Sequence, residues 1–351
     1  FPTRRSSDLN DEFEKCHVST RSYPYLIAAE LGIATDKVKS VACSGAVTGD
    51  VIGDDLNYWG QRNRLAENGL RLDKTAKVIN QTSAKELFVP GRVHQIRFAE
   101  RYLPKVITIG IGGNDAGFMD KLRACVGTDT CQWANTPEGR EKTALEVKAL
   151  FNTLVDTYTA LHDASPSSKI YAIGYPKVID QDSQCDPLHG LLLNASEREF
   201  MNEGIAYINQ VVAAAAAKAG IRYIDIQDSL GSQVLCGSLK PSVMNGIRLG
   251  DDSSLSEETN WIKLIGNEGF HPQSSAHKLE TTTIFASVSD LLTYSHCPGQ
   301  EIACPNLSTN APDPSSYWLP DGTTHDYASQ RIAEFISDQA DATNPREKTV
   351  N

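Results

Sequence analysis

The chain has 351 residues, 40% of them hydrophobic and 22% charged, which suits one large domain plus an appendage, or two modest domains, with a buried core. A formal net charge of −11 argues against a nucleic-acid partner and against anchoring on an anionic membrane, since both need surplus Lys and Arg on one face. No apolar run approaches the roughly 18 residues of a membrane span; the longest candidate, VVAAAAAKAG at 211–220, is short and alanine-rich.

In chain order, residues 1–9 (FPTRRSSDL) show no apolar core and no periodic pattern. SYPYLIAAEL, Ser22 to Leu31, followed by Gly32, predicts a short helix with a glycine stop. VKSVAC at 38–43 predicts a strand, and residues 52–92 a long polar excursion over the surface. PKVITIGIGGND at 104–115 begins as a β-branched run and ends in glycines, the pattern of a parallel strand buried on both faces and running out into a loop. Val147, Leu150, Phe151, Leu154, Tyr158 and Leu161 form a helical stripe within 140–162.

KIYAIGYP at 169–176 predicts the next strand, and residues 196–220 a long helix. Ser196 and Glu199 form a capping-box pattern at the start of that helix, and Gly220 sits at its end. IRYIDI at 221–226 is a further strand, and a last helix spans 274–293. Short apolar strands alternating with helices predict an α/β protein: a parallel sheet between two helical layers, α/β/α. Beyond residue 294 the chain is rich in Pro, Asn, Ser and Asp, with a modest amphipathic helix around 326–338. This stretch, 295–351, reads as an appendage or linker on a domain spanning 10–294.

There are eight cysteines, at 16, 43, 125, 131, 185, 236, 297 and 304, with no C-x-x-C and no zinc-finger spacing. A thiol nucleophile or metal ligand is the alternative, but an even count without metal spacing favours disulfides and an oxidising, secreted environment.

In a parallel α/β sheet, the loops at the carboxyl ends of the strands form the site, and three such loops stand out. In ACSGAVTGDV at 42–51, Gly45 lets the backbone turn tightly with its N–H toward a ligand, or it is simply a turn glycine beside a bonded Cys43. Ser44 lacks the G-x-S-x-G spacing of a nucleophile elbow. In GIGGNDAGF at 110–118, Asn114 presents an amide donor beside glycines that permit close approach; neutral donors suit an oxyanion that exists only in the transition state. Asp115 could be catalytic, but an acid after Asn in a tight loop more often hydrogen-bonds its own backbone. In NEGFHPQSSAH at 267–277, His271 sits on a rigid loop before a helix, with Glu268 close enough in sequence to orient its imidazole. His277 and His189 read as structural.

Taken together and in this order, the CSGA, GGND and EGFHP blocks resemble the SGNH (GDSL-type) hydrolase family, and CHVSTRSYPYLIA, VPGRVHQI and AIGYP resemble its secreted lipase/esterase branch. The resemblance covers about residues 10–294. It implies a flavodoxin-like parallel sheet and acyl transfer from an ester to water. A Ser would attack, His271 would act as base, Gly45 and Asn114 would form the oxyanion hole, and no cofactor or metal would be needed. Most members carry Asp three residues before the His; here it is Glu268, and some members use backbone carbonyls instead. The branch also implies the pairs Cys16–Cys43, Cys125–Cys131 and Cys185–Cys236, leaving Cys297–Cys304 for the appendage. The expected partner is a small-molecule, lipid or glycan ester, with no nucleic acid, no integral membrane segment and a monomeric protein.

One block of the resemblance is not matched. The family's Gly-Asp-Ser strand should precede CHVSTRSYP, yet Ser6 and Ser7 stand in RRSSDL without Gly-Asp before them. FPTRRSSDL back-translates to what looks like a common sequencing-library adapter, as at the edge of a metagenomic contig. The expectation is that residues 1–9 are an artefact that replaced the signal peptide, first strand and nucleophile, leaving this chain nearly inactive. The competing reading is an SGNH-like module that binds acylated glycans or lipids without cleaving them.

Overall fold

The computed structural model describes residues 16, 18–43, 45–53, 85–88, 91, 93–118, 121, 125, 131–181, 185, 193–246, 270–287 and 310–314. Three strands, β1 (Val106–Ile109), β2 (Lys169–Ile173) and β3 (Arg222–Ile224), form a parallel sheet in the order β1-β2-β3. The register sets Ile107 beside Ile170 and Ala172 beside Tyr223. The crossovers are helical: α5 (Pro137–Ala164) joins β1 to β2, and α6 (Ala195–Lys218) joins β2 to β3.

The alternation of side chains along a strand decides the layering. Ile170 and Ala172 of β2 point into one apolar cluster with Leu150, Leu154 and Tyr158 of α5 and Ile208, Val211 and Val212 of α6. Tyr171 and Ile173 point to the other face, against Ile27 of α1 (Tyr23–Glu30) and Ile284 of α7 (Ser274–Ser287). The protein is therefore three-layered, as the alternation of elements predicts. Leu150, Leu154 and Tyr158, taken from the predicted stripe, are 0% exposed. Each of the two leucines contributes about 1.5–3 kcal/mol of burial.

The 38–43 stretch is a correction. Among the described residues it carries no ladder, although Val38 has extended backbone (φ −108°, ψ 128°) after a 3-10 turn at Thr35–Lys37. β1 likewise has no partner on its outer edge among the described residues, and Val106, Ile107 and Thr108 are only half-buried, whereas β2 is buried from Ile170 to Ile173. Among the described residues, three helices fall outside the sequence prediction: α2 (Thr48–Ile52), α3 (Ile96–Tyr102) and α4 (Gln132–Asn135). The capping box of α6 is also shifted. Asn194, not Ser196, is the N-cap: its side chain accepts from Glu197 N at 3.0 Å, and the Glu197 carboxylate accepts from Asn194 N at 2.8 Å.

The disulfides Cys16–Cys43, Cys125–Cys131 and Cys185–Cys236 form, as the resemblance implies. Cys297, Cys304 and the helix expected near 326–338 lie outside the described residues. Residues 310–314 lie against the α5–α6 layer: Ala311 packs on its cluster, the Tyr207 hydroxyl donates to Pro312 O at 2.9 Å, and Lys148 Nζ stands 2.5 Å from Asp313 Oδ1.

Candidate active site

At the carboxyl end of β1 the chain turns through Gly110–Phe118. Gly112 has φ +112°, a conformation that favours glycine, and a Cβ added there would lie 3.4 Å from Leu154 Cδ2, so this turn rests on α5. A Cβ on Gly113 would stand 3.2 Å from the Tyr175 hydroxyl, which accepts a 2.9 Å hydrogen bond from Gly113 N. Burial pushes the Tyr175 phenol well above its ordinary range, with the Asp115 carboxylate adding to the rise against the pull of the Gly113 N–H. Gly113 N is thereby committed to Tyr175. Lys121 fastens the far end of the turn, donating to Ala116 O at 2.6 Å and standing 2.5 Å from Glu146 Oε2 on α5.

The second loop follows 38–43. Cys43 is bonded to Cys16, and Gly45 two residues on has φ +71°. Asp50 Oδ2 then accepts from Val47 N at 3.0 Å and starts α2. This loop meets the Gly110–Phe118 turn through side chains. Asn114 Nδ2 donates to Ala46 O at 2.9 Å. Asp115 Oδ1 accepts from Thr48 N at 3.0 Å and from Thr48 Oγ1 at 2.6 Å, while Oδ2 lies 3.2 Å from the same N. Thr48 is 0% and Asp115 3% exposed. Burial pushes Asp115 up to about 6; the Thr48 bonds and its own backbone N–H oppose the rise, and Asp50 adds to it.

The structure thus brings Gly45 and Asn114 onto neighbouring, cross-linked loops. An amide nitrogen carries two hydrogens, and the bond to Ala46 uses one of Asn114's.

His271 is half-buried on a third segment, held by main chain. Its carbonyl accepts from Asn245 N at 2.9 Å, Phe270 N donates to Asn245 O at 3.0 Å, and Gln273 N donates to Val243 O at 2.9 Å. Phe270 adopts φ +60° and packs in the same apolar cluster as Ala46, Ile111 and Ala116. Glu268 lies outside the described residues, as do Ser6, Ser7, Ser44 and His189. His277 is buried on α7, its Nδ1 2.6 Å from Glu280 Oε2. Among the described residues no group of His, Cys, Asp and Glu could hold a metal ion, and no helix is long and apolar enough to cross a membrane.

Sequence reasoning missed Thr48 and Tyr175. No local pattern marks either, because their partners lie 67 and 62 positions away. Asp115 does bond its own backbone, as expected, but its principal partner is Thr48 on the other loop.

Glycine-rich loops gathered at one end of a parallel sheet place the molecule in the α/β class whose sites lie at the strands' carboxyl ends. The model of the GDSL-like lipase/acylhydrolase family matches residues 7–279, and the chain belongs to that family of ester hydrolases. It is 25% identical over 262 residues to Lipase 1 of Streptomyces coelicolor, covering 74% of this chain and 72% of that protein. It is 26% identical over 223 residues to a lipase of Streptomyces rimosus, covering 63% of this chain and 64% of that one. Among solved structures, it is similar to phospholipase A1 from Streptomyces albidoflavus (21% identity, TM-score 0.49, 79% of this chain and 90% of that chain). A similar match is to an extracellular lipase from Streptomyces rimosus (21% identity, TM-score 0.49, 79% and 91%).

Proposed function

We propose that the chain is the greater part of a secreted serine ester hydrolase, monomeric and cofactor-free, acting on small-molecule, lipid or glycan esters. The observation that carries this reading is the cross-linked pair of loops bearing Gly45 and Asn114 at the carboxyl end of the sheet. In this reading the Ser hydroxyl adds to the ester carbonyl carbon as His271 takes its proton. The tetrahedral oxyanion is met by Gly45 N–H and the second Asn114 hydrogen. His271 returns the proton to the departing alkoxide, and water releases the acyl group by the same steps in reverse roles. Glu268, or a backbone carbonyl, would orient the imidazole.

In this reading the nucleophile lies on a strand that precedes Cys16. The lighter burial of β1 beside β2 supports a further strand on its outer edge. The disulfides support secretion.

Reading the genomic DNA upstream of the Cys16 codon tests the assignment. An apolar strand ending in Gly-Asp-Ser behind a signal peptide is the expected result; another residue at the Ser position makes the protein a non-catalytic binder. With that segment present, short-chain nitrophenyl esters should be hydrolysed, and His271→Ala should lower kcat by roughly 10⁴–10⁶-fold. Comparable turnover by the present chain, lost on His271→Ala, would overturn the missing-strand assignment.

A further inference from the structure

We propose that Asp115 is the positioning residue of the oxyanion donors, its carboxylate holding Thr48 so that the Gly45 and Asn114 loops keep one fixed separation. The inference rests on the reading of Gly45 and Asn114 as those donors.

Two links join the loops, and they run in opposite directions. Asn114 Nδ2 donates across to Ala46 O, and Thr48 N and Oγ1 donate back to Asp115. The four residues are adjacent or nearly so on each side: Ala46 and Thr48 on one loop, Asn114 and Asp115 on the other. Gly45 N–H is one residue from the first link, and the Asn114 amide is itself part of that link. A slack second link lets the loops rotate about the Asn114–Ala46 bond, and both donors then lose their aim. A misplacement of this kind falls on the transition state, where an oxyanion donor does its work, rather than on ester binding.

The cost of the arrangement argues for a purpose. Asp115 is a carboxylate 3% exposed, and among the described residues its partners are N–H and O–H groups and no cation. The titratable groups facing it are Asp50 on α2, Tyr158 on α5 and Tyr175 after β2, none of which offers a positive charge. Buried charge held by directional donors alone is stable only in one geometry. The same burial keeps Asp115 from acting on substrate, since Thr48, 0% exposed, occupies its oxygens.

The test uses the enzyme with its natural amino terminus and compares Asp115→Ala, Asp115→Asn, Thr48→Val and Asn114→Ala with the double variant Asp115→Ala/Asn114→Ala. Asn114→Ala should lower kcat by ~10²–10³-fold, the usual effect of losing one oxyanion donor. Asp115→Ala should lower kcat by ~30-fold or more with KM changed less than ~3-fold, and the double variant should lose more than Asn114→Ala but clearly less than the product of the two single losses. Asp115→Asn should recover most of the loss, because an amide oxygen at the Oδ1 position can still accept from both Thr48 groups. Thr48→Val, which keeps the backbone N–H, covers the case in which Asp115→Ala fails to fold, and should lower kcat by ~3–10-fold.

Additive losses in the double variant, or a Thr48→Val enzyme with wild-type kcat, would overturn the positioning role. Sensitivity to Asn114→Ala without sensitivity at Asp115 overturns this inference alone. Indifference to Asn114→Ala, or a parent protein without turnover, overturns the donor assignment and this inference with it.

Discussion

Asp115 also leaves a signature in stability. Folding raises its pKa from the usual 3.8 to about 6, chiefly through burial. Between those values the folded protein holds a proton that the unfolded chain has released. The contribution is therefore fully present below roughly pH 4 and lost as pH rises through about 6. Asp115→Asn removes the titration while keeping an acceptor for Thr48. Measured against the wild type, its stability should improve by on the order of 3 kcal/mol from pH 4 to pH 7. Melting curves at the two pH values read this directly, and a constant difference between the proteins would show that the carboxyl does not titrate in that window. At this scale the sequence was partly legible. Asn114 and His271 announce themselves by motif, because a glycine-rich strand end and a His-Pro before a helix are local patterns. Thr48 does not, since what makes it matter is a carboxylate 67 positions away.

The two long helices, α5 and α6, follow from their own residues to within a turn. The α5 stripe predicted from Val147 to Leu161 is the buried face of Pro137–Ala164, and the start of α6 is displaced because Asn194 and Glu197 satisfy each other's main chain better than the pair at Ser196 and Glu199. Asn194→Ala should cost about 1 kcal/mol, read from chemical denaturation. A larger loss, about 2–5 kcal/mol, is expected for Leu154→Ala, which opens a cavity under Gly112 where the turn rests on α5. Strands are less legible one at a time. VKSVAC has strand composition, but a strand exists only with a neighbour to bond, and among the described residues 38–43 has none. α2 and α3 are short and depend on tertiary contacts, such as Val51 and Ile96 in the main cluster, that no periodicity of five or seven residues can announce.

At the scale of the molecule, alternation of strand and helix is enough to foretell three layers, and the two clusters on either face of β2 are that layering in residues. Where the chain beyond α7 goes was not foretold: Asp313 and Pro312 come back to Lys148 on α5 and Tyr207 on α6, on the face of the sheet opposite α7. The three disulfides among the described residues are distributed unevenly. Cys43 ends the 38–43 segment, Cys125 and Cys131 follow the turn after β1, and Cys185 and Cys236 lie on the stretches leaving β2 and β3. Among the described residues all three lie toward the carboxyl end of the sheet and none crosses between the helical layers, which are held mainly by apolar packing. A mild thiol reductant should therefore silence the proposed hydrolase while its far-ultraviolet circular dichroism still reports intact helices. Made in a cytoplasm full of glutathione, the same polypeptide would come out looking folded and doing nothing, until an oxidising refolding step switched it on.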